Sequence, residues 1–321
     1  MKSEVFYAKI MLFGEYSVIC DSMALTIPYA HFTGELRFID QEQYTKYELA
    51  LESNKHLKDY LKYLKDLENK TGFRDKLDLE RFENDINNGL YFESNIPQGY
   101  GIGSSGALVA AVYDQYVVQG HKNRKILTGM EISNLKEVFS RMESYFHGVS
   151  SGLDPLLCYI RHPLLIRNKM QIETVGIPRD KFGTNSAIFL IDSGVLGKTG
   201  PLVNLFIERC KLEDFHDQVK NVFIPANNGC IETLLKGDME PFFSHLTELS
   251  AFQFLYLPEM IPSNMKSIWE YGLHSDDFKM KLCGSGGGGF LLGISRDFKS
   301  THKYFQQNGL ELIPVFKNSK D

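Results

Sequence analysis

The sequence predicts a mixed fold of helices and strands in about two domains, on three observations. Apolar runs with strand-like alternation open the chain at residues 5 to 12 and 24 to 39. Apolar side chains recur at helical spacing at Leu57, Leu61, Leu64 and Leu67, and again at Ile132, Leu135, Phe139, Met142 and Phe146. A chain of 321 residues, 43% of them apolar, can bury a large core and exceeds the usual size of one domain.

Taken in order, Val5 to Leu12 forms the first strand and Ala24 to Ile39 two more. Residues 41 to 89, rich in Lys, Glu, Asp and Asn, hold a solvated helix with one leucine stripe. Tyr91 to Ile96 is a strand that feeds a glycine-rich loop, and Ala107 to Val118 is an apolar helix that leaves it. Thr128 and Glu131 make a capping box for a helix over 129 to 146, which ends at Gly148. Turn residues from Pro178 to Asn185 mark a boundary between domains of residues 1–183 and 184–321. Beyond it come a buried strand at 186–192, helices near 201–221, 226–236, 239–254 and 263–271, and strands near 279–283 and 289–294.

A formal charge of −5 with no basic stripe speaks against a nucleic-acid partner. The five cysteines (Cys20, Cys158, Cys210, Cys230 and Cys283) are scattered, without zinc-site spacing, and fit free thiols in a reducing cytosol. No stretch approaches the roughly 20 apolar residues of a membrane span. The expectation is a cytoplasmic protein with no membrane partner.

The loop Pro97-Gln-Gly-Tyr-Gly-Ile-Gly-Ser-Ser-Gly-Ala107 places four glycines and two serines at the mouth of a helix. Such glycines let the backbone approach an anion, and the first N–H groups of the helix are unpaired donors carrying partial positive charge. A phosphorylated ligand is therefore expected. Gly101-x-Gly103-x-x-Gly106 also matches a dinucleotide fingerprint, but no acidic residue closes a second strand about 20 positions on. Gly148-Val-Ser-Ser-Gly152 matches a hydrolase nucleophile elbow, although a helix rather than a strand precedes it.

Two carboxylates stand out. Glu143 lies beside the apolar stripe of its helix, where a buried carboxylate needs a partner or a metal, with Arg141 or a distant lysine as the structural alternative. Asp154 follows a Ser-Gly turn and precedes Pro155, which restrains its backbone and also suits a plain turn aspartate.

Four motifs in order, from Lys9 to Phe290, resemble the signature set of the GHMP kinases, the superfamily of galactokinase, homoserine kinase and mevalonate kinase. Lys9-x-x-Leu-Phe-Gly-Glu-Tyr-x-Val-Ile is most similar to K-x-x-L-x-G-E-H-x-V-V of mevalonate kinases. Pro97 to Ala107 is similar to the P-x-x-x-G-L-G-S-S-A-A phosphate loop, and Lys281 to Gly289 to K-L-x-G-A-G-G-G-G. Glu143 and Asp154 match the helix acid and the base. Two positions depart from the pattern: Tyr16 replaces the histidine after Gly-Glu, and Tyr7-Ala8 replaces the Pro-Gly before Lys9.

The resemblance implies an α+β fold of two domains, the first like the ribosomal S5 second domain and the second ferredoxin-like. It implies ATP and Mg²⁺ as cofactors and a small-molecule alcohol as substrate, mevalonate first and phosphomevalonate as the alternative, with a homodimer as the candidate assembly. It assigns Asp154 as base with Lys9 beside it, and Ser105 and Glu143 as Mg²⁺ ligands. Pro97, Gly99, Gly101, Gly103, Ser104, Ser105, Gly106 and Gly286 fall at nucleotide-binding positions. Glu15, Tyr16, Thr199, Gly284 and Ser285 fall near the acceptor, and a non-catalytic nucleotide sensor is the competing reading.

Overall fold

The computed structural model describes residues 4–39, 47–71, 75–119, 127–168, 171–183, 185–197 and 199–317. The chain gathers into two compact units, each drawn from three segments. Met1–Lys9, Pro28–Pro97 and Gly103–His162 make the first, and Ile10–Ile27, Gln98–Ile102 and Pro163–Asp321 the second. The strands β1 (Phe6–Phe13) and β2 (Ala24–Phe38) each contribute residues to both.

In the first unit, Gly34 to Phe38 of β2 pair antiparallel with β3 (Leu90–Ser94). Five helices follow the chain here: α1 (Tyr47–Thr71), α2 (Leu79–Asn87), α3 (Ser104–Tyr116), α4 (Gly129–His147) and α5 (Leu153–Ile160). The Leu57, Leu61 and Leu64 stripe of α1 is buried as its spacing predicts. The buried Asn54 amide donates to Ile86 O at 2.8 Å and Leu90 O at 2.6 Å, tying α1 to the end of α2 and the start of β3. The small residues of α3 allow close packing on both sides, and Gly106, Ala107, Val109 to Tyr113 and Tyr116 are all buried.

In the second unit, Ala24 to Thr26 of β2 pair with β4 (Leu164–Asn168), which turns back into β5 (Gln171–Thr174). A separate four-stranded antiparallel sheet has the order β7-β8-β6-β9, from β6 (Ala187–Asp192), β7 (Phe278–Leu282), β8 (Phe290–Ser295) and β9 (Leu312–Lys317). Between β6 and β7 run α6 (Thr199–Arg209), α7 (Glu213–Gln218), α8 (Ile224–Lys236), α9 (Met239–Tyr256) and α10 (Lys266–His274), and α11 (Phe298–Gln307) precedes β9. With the helices before β7 taken as one layer, this is the βαββαβ order of a ferredoxin-like sheet, as expected.

The structure corrects several element boundaries. Residues 24–38 form one long strand, not two, because Pro28 keeps a φ compatible with extended backbone. The single helix expected over 201–221 is α6 and α7, followed by a π-helical turn at Val219–Phe223 that runs into α8. Pro225, in the first turn of α8, has no N–H to offer the α ladder, and the wider turn ahead of it absorbs that loss. The one solvated helix expected within residues 41–89 is two, α1 and α2, and α5, β4, β5, α11 and β9 lie where no element was expected. The capping box of α4 is present, with Thr128 Oγ1 accepting from Glu131 N at 3.3 Å and Glu131 Oε2 accepting from Thr128 N at 2.7 Å. Thr128→Ala is expected to lower stability by about 1 kcal/mol, read from the urea midpoint at unchanged denaturant slope.

Candidate active site

The first unit brings together three stretches far apart in sequence, Lys9, the mouth of α3 and residues 143–154. Gly103, at a φ of 81°, caps α3 on its N-terminal side, and the first hydrogen bond of the helix runs from Ala107 N to Gly103 O. The N–H groups of Ser104, Ser105 and Gly106 lie ahead of that bond and present the positive end of the helix. A Cβ on Gly103 would come within 2.7 Å of Lys9 Cγ, so glycine is what admits the Lys9 side chain here. Lys9 Nζ lies 3.0 Å from Asp154 Oδ1, with the lysine buried and the aspartate one-third exposed.

Asp154 is not in a turn. It occupies the first turn of α5, where a negative side chain complements the helix dipole, and Pro155 is tolerated because a first-turn N–H has no intrahelical partner. Gly106 makes room for this turn. A Cβ there would sit 2.8 Å from the carbonyl carbon of Asp154 and 2.9 Å from Pro155 N.

Glu143 is 3% exposed. Ser105 Oγ donates to its Oε1 at 3.2 Å, and Ser150 Oγ donates to Oε2. Arg141 turns instead to Glu137, at 2.9 Å, so the ion pair considered for Glu143 does not form. Burial, and then the charge of Asp154, push the Glu143 carboxyl up to about 7, while the two serine hydrogen bonds and Lys9 pull the other way. The positive charge of Lys9 and the two hydroxyls thus fall short of offsetting its burial.

No group of three His, Cys, Asp or Glu side chains suited to a metal occurs among the described residues. A hydroxyl and a desolvated carboxylate nonetheless form a hard oxygen pair that fits Mg²⁺, an ion that usually takes its other ligands from phosphate and water.

Sequence reasoning missed Ser150, His147 and Gly152 as site residues. His147 Nε2 lies 3.0 Å from Ser105 Oγ. Ser150 Oγ also accepts from Gly152 N at 3.0 Å, so it orients Glu143 and is not poised as a nucleophile. A Cβ on Gly152, at a φ of 73°, would fall 2.2 Å from Lys136 O, which presses this turn against α4. The Gly-x-Ser-x-Gly spacing was the visible signal, and it belongs to this turn rather than to a hydrolase elbow. The antiparallel pairing of β3 likewise departs from the parallel βαβ unit of a dinucleotide fold.

The second unit holds the remaining candidates. Glu15 and Lys281 form a fully buried ion pair at 2.7 Å. Tyr16 is held at a φ of 63°, its ring 5.0 Å from Phe206 and its hydroxyl donating to Ser285 O at 2.5 Å. Burial, and then Glu15, raise its phenol well above the usual tyrosine range. Gly284 and Gly286 to Gly289 all have positive φ, and a Cβ on Gly284 would be 3.3 Å from Gly101 Cα. Gly99 and Gly101 have φ of 80° and 74°, and Tyr100 stacks edge-on at 4.8 Å against Phe290. Thr199 opens α6, and Lys198 lies outside the described residues.

Residues 60–161 match the family model of the GHMP kinases N terminal domain. The match marks this segment as a GHMP kinases N terminal domain, and the α+β fold is that of the GHMP kinases, which are phosphotransferases that use ATP. Similar solved structures include Leishmania major mevalonate kinase in complex with R-mevalonate, 16% identical, covering 99% of this chain and 97% of that one at a TM-score of 0.60. Streptococcus pneumoniae phosphomevalonate kinase is 14% identical over 97% of this chain and 98% of that one, at 0.63. Lactococcus lactis galactokinase complexed with galactose is 14% identical over 99% and 94%, also at 0.63. No curated protein matches the sequence. No helix of the described residues is long and apolar enough to cross a membrane.

The Glu143 environment makes stability depend on pH. Its carboxyl holds a proton to about 7 when folded and to 4.5 when unfolded, so the folded state binds more protons in that window. Stability therefore falls as pH rises from 4.5 through 7. Glu143→Gln should flatten that slope in urea titrations at a series of pH values, whereas an unchanged slope would assign it to other groups.

Proposed function

We propose that the chain transfers the γ-phosphoryl group of ATP to the alcohol of a small molecule, with mevalonate as the acceptor and phosphomevalonate as the alternative. The observation that carries this reading is the Lys9–Asp154 pair at 3.0 Å, packed against the mouth of α3 beside the desolvated Glu143. Phosphoryl transfer asks for phosphate binding, alignment of the hydroxyl and a place for its proton. The first unit has a candidate group for each.

Asp154 accepts the proton of the acceptor hydroxyl as the oxygen attacks. Lys9 holds that carboxylate in line and offers positive charge to the transferring group. The N–H groups of Ser104, Ser105 and Gly106 hold phosphate oxygens at the α3 terminus. Bound Mg²⁺ would neutralise phosphate charge, held by Ser105 Oγ and Glu143 with Ser150 keeping the carboxylate aimed. Pro97, Gly99, Gly101, Gly103 and Gly286 are the further nucleotide positions of the proposal, and Glu15, Tyr16, Thr199, Gly284 and Ser285 those for the acceptor.

The choice of mevalonate is supported by the Lys9 to Ile19 segment and by the mevalonate kinases among the similar structures. ADP release with Mg²⁺ and ATP, measured across mevalonate, phosphomevalonate, galactose and homoserine, tests it. Turnover with mevalonate alone is the expected result, and ATP binding without turnover of any of the four would point to a sensor. Asp154→Asn should lower turnover by about 10²-fold or more at unchanged fold. Near-normal turnover in that variant would remove Asp154 from the reaction. Glu143→Gln should raise the Mg²⁺ concentration needed for half-maximal rate.

A further inference from the structure

We propose that Cys20 and Cys210 are a modification site, an oxidisable thiol pair that closes to an intramolecular disulfide. The inference does not depend on the phosphoryl-transfer reading. Cys20 ends the 3-10 turn at Ser17–Cys20, and Cys210 directly follows α6, its N–H bonded to Phe206 O at 2.9 Å. The two sulfurs are 3.9 Å apart. A disulfide needs about 2.0 Å, so each sulfur would move only about 1 Å, within reach of small side-chain rotations.

The surroundings hold the two segments in register. The Tyr16 ring packs on Phe206 at 5.0 Å, four residues before each cysteine. On the far side of Cys20, Met23 N donates to Asn228 Oδ1 at 3.0 Å and Met23 O accepts from Asn227 Nδ2 at 2.8 Å. Cys20 and Cys210 are half-buried, whereas Cys158, Cys230 and Cys283 are buried. A small oxidant can therefore meet this pair while the other three thiols are shielded.

Burial raises both thiols above the usual range, which makes the reaction slow at neutral pH and faster in mild alkali. The hydrogen bond from Cys210 lowers Cys20, and the same bond raises Cys210, so Cys20 ionises first. With a low-molecular-weight disulfide as oxidant, the Cys20 thiolate attacks one of its sulfurs and expels the other half as a thiolate. Cys210, deprotonated in turn, attacks the Cys20 sulfur of that mixed disulfide and expels the second half. The two expelled thiolates take up the two protons, so one external disulfide is reduced to two thiols as the Cys20–Cys210 bond forms.

Purified protein incubated with oxidised glutathione at about pH 8.5 tests this directly. The expected result is a fall from five titratable thiols to three after denaturation, with a Cys20–Cys210 linked peptide in a non-reducing digest. The chain should remain monomeric on a non-reducing gel and recover five thiols with reductant. In Cys210→Ser the reaction should halt at a glutathionyl adduct on Cys20. Five thiols persisting in the unmutated chain, or a bridge found only between two chains, would overturn the proposal.

Discussion

Glu143 has given up almost all contact with water, and an isolated carboxylate in that position is unfavourable by several kcal/mol unless charge or hydrogen bonds offset it. Two serine hydroxyls supply part of the offset, one from the mouth of α3 and one from the turn ahead of α5. What remains is a demand for positive charge. The Lys9–Asp154 pair lies close enough to act on that carboxylate in both senses, the aspartate raising its pKa and the lysine lowering it.

Glycine fixes the distances at which these groups meet. At Gly103 and Gly106 the missing Cβ lets a lysine stem and a helix turn approach α3 at ranges no other residue permits. In the second unit the same device is used backbone to backbone, where a Cβ on Gly284 would fall 3.3 Å from Gly101 Cα and one on Gly101 3.4 Å from Gly284 Cα. Close backbone approach leaves peptide groups, rather than side chains, at the surface of a loop. Polar backbone of that kind suits an anionic ligand.

The periodic elements were legible in the sequence. The leucine stripe of α1, the capping box of α4 and the buried strand β6 follow from local pattern alone. The misses have identifiable causes. Asp154-Pro155 reads as a helix breaker, yet proline is harmless in a first turn, so α5 was hidden by the residue that fits its start. Pro225 and Pro28 both sit within unbroken elements, one in a continuous helical run and the other in a continuous strand. Lys9, Ser105, Glu143 and Asp154 were singled out by their motifs, and the structure brings all four together in one unit. Ser150 was noticed for the wrong chemistry, because spacing alone cannot tell a nucleophile from a hydroxyl that orients its neighbour.

The buried pair of Glu15 and Lys281 joins positions 266 residues apart in the chain, with neither side chain more than 2% exposed. Removing one member strands the other charge in the interior at a cost of about 3–5 kcal/mol, whereas replacing both with apolar groups of similar volume can be neutral. The path between those two states passes through a poorly folded intermediate. Lineages descended from this chain should therefore keep both residues or lose both together, and a lone change at either position should be rare and accompanied by compensation nearby.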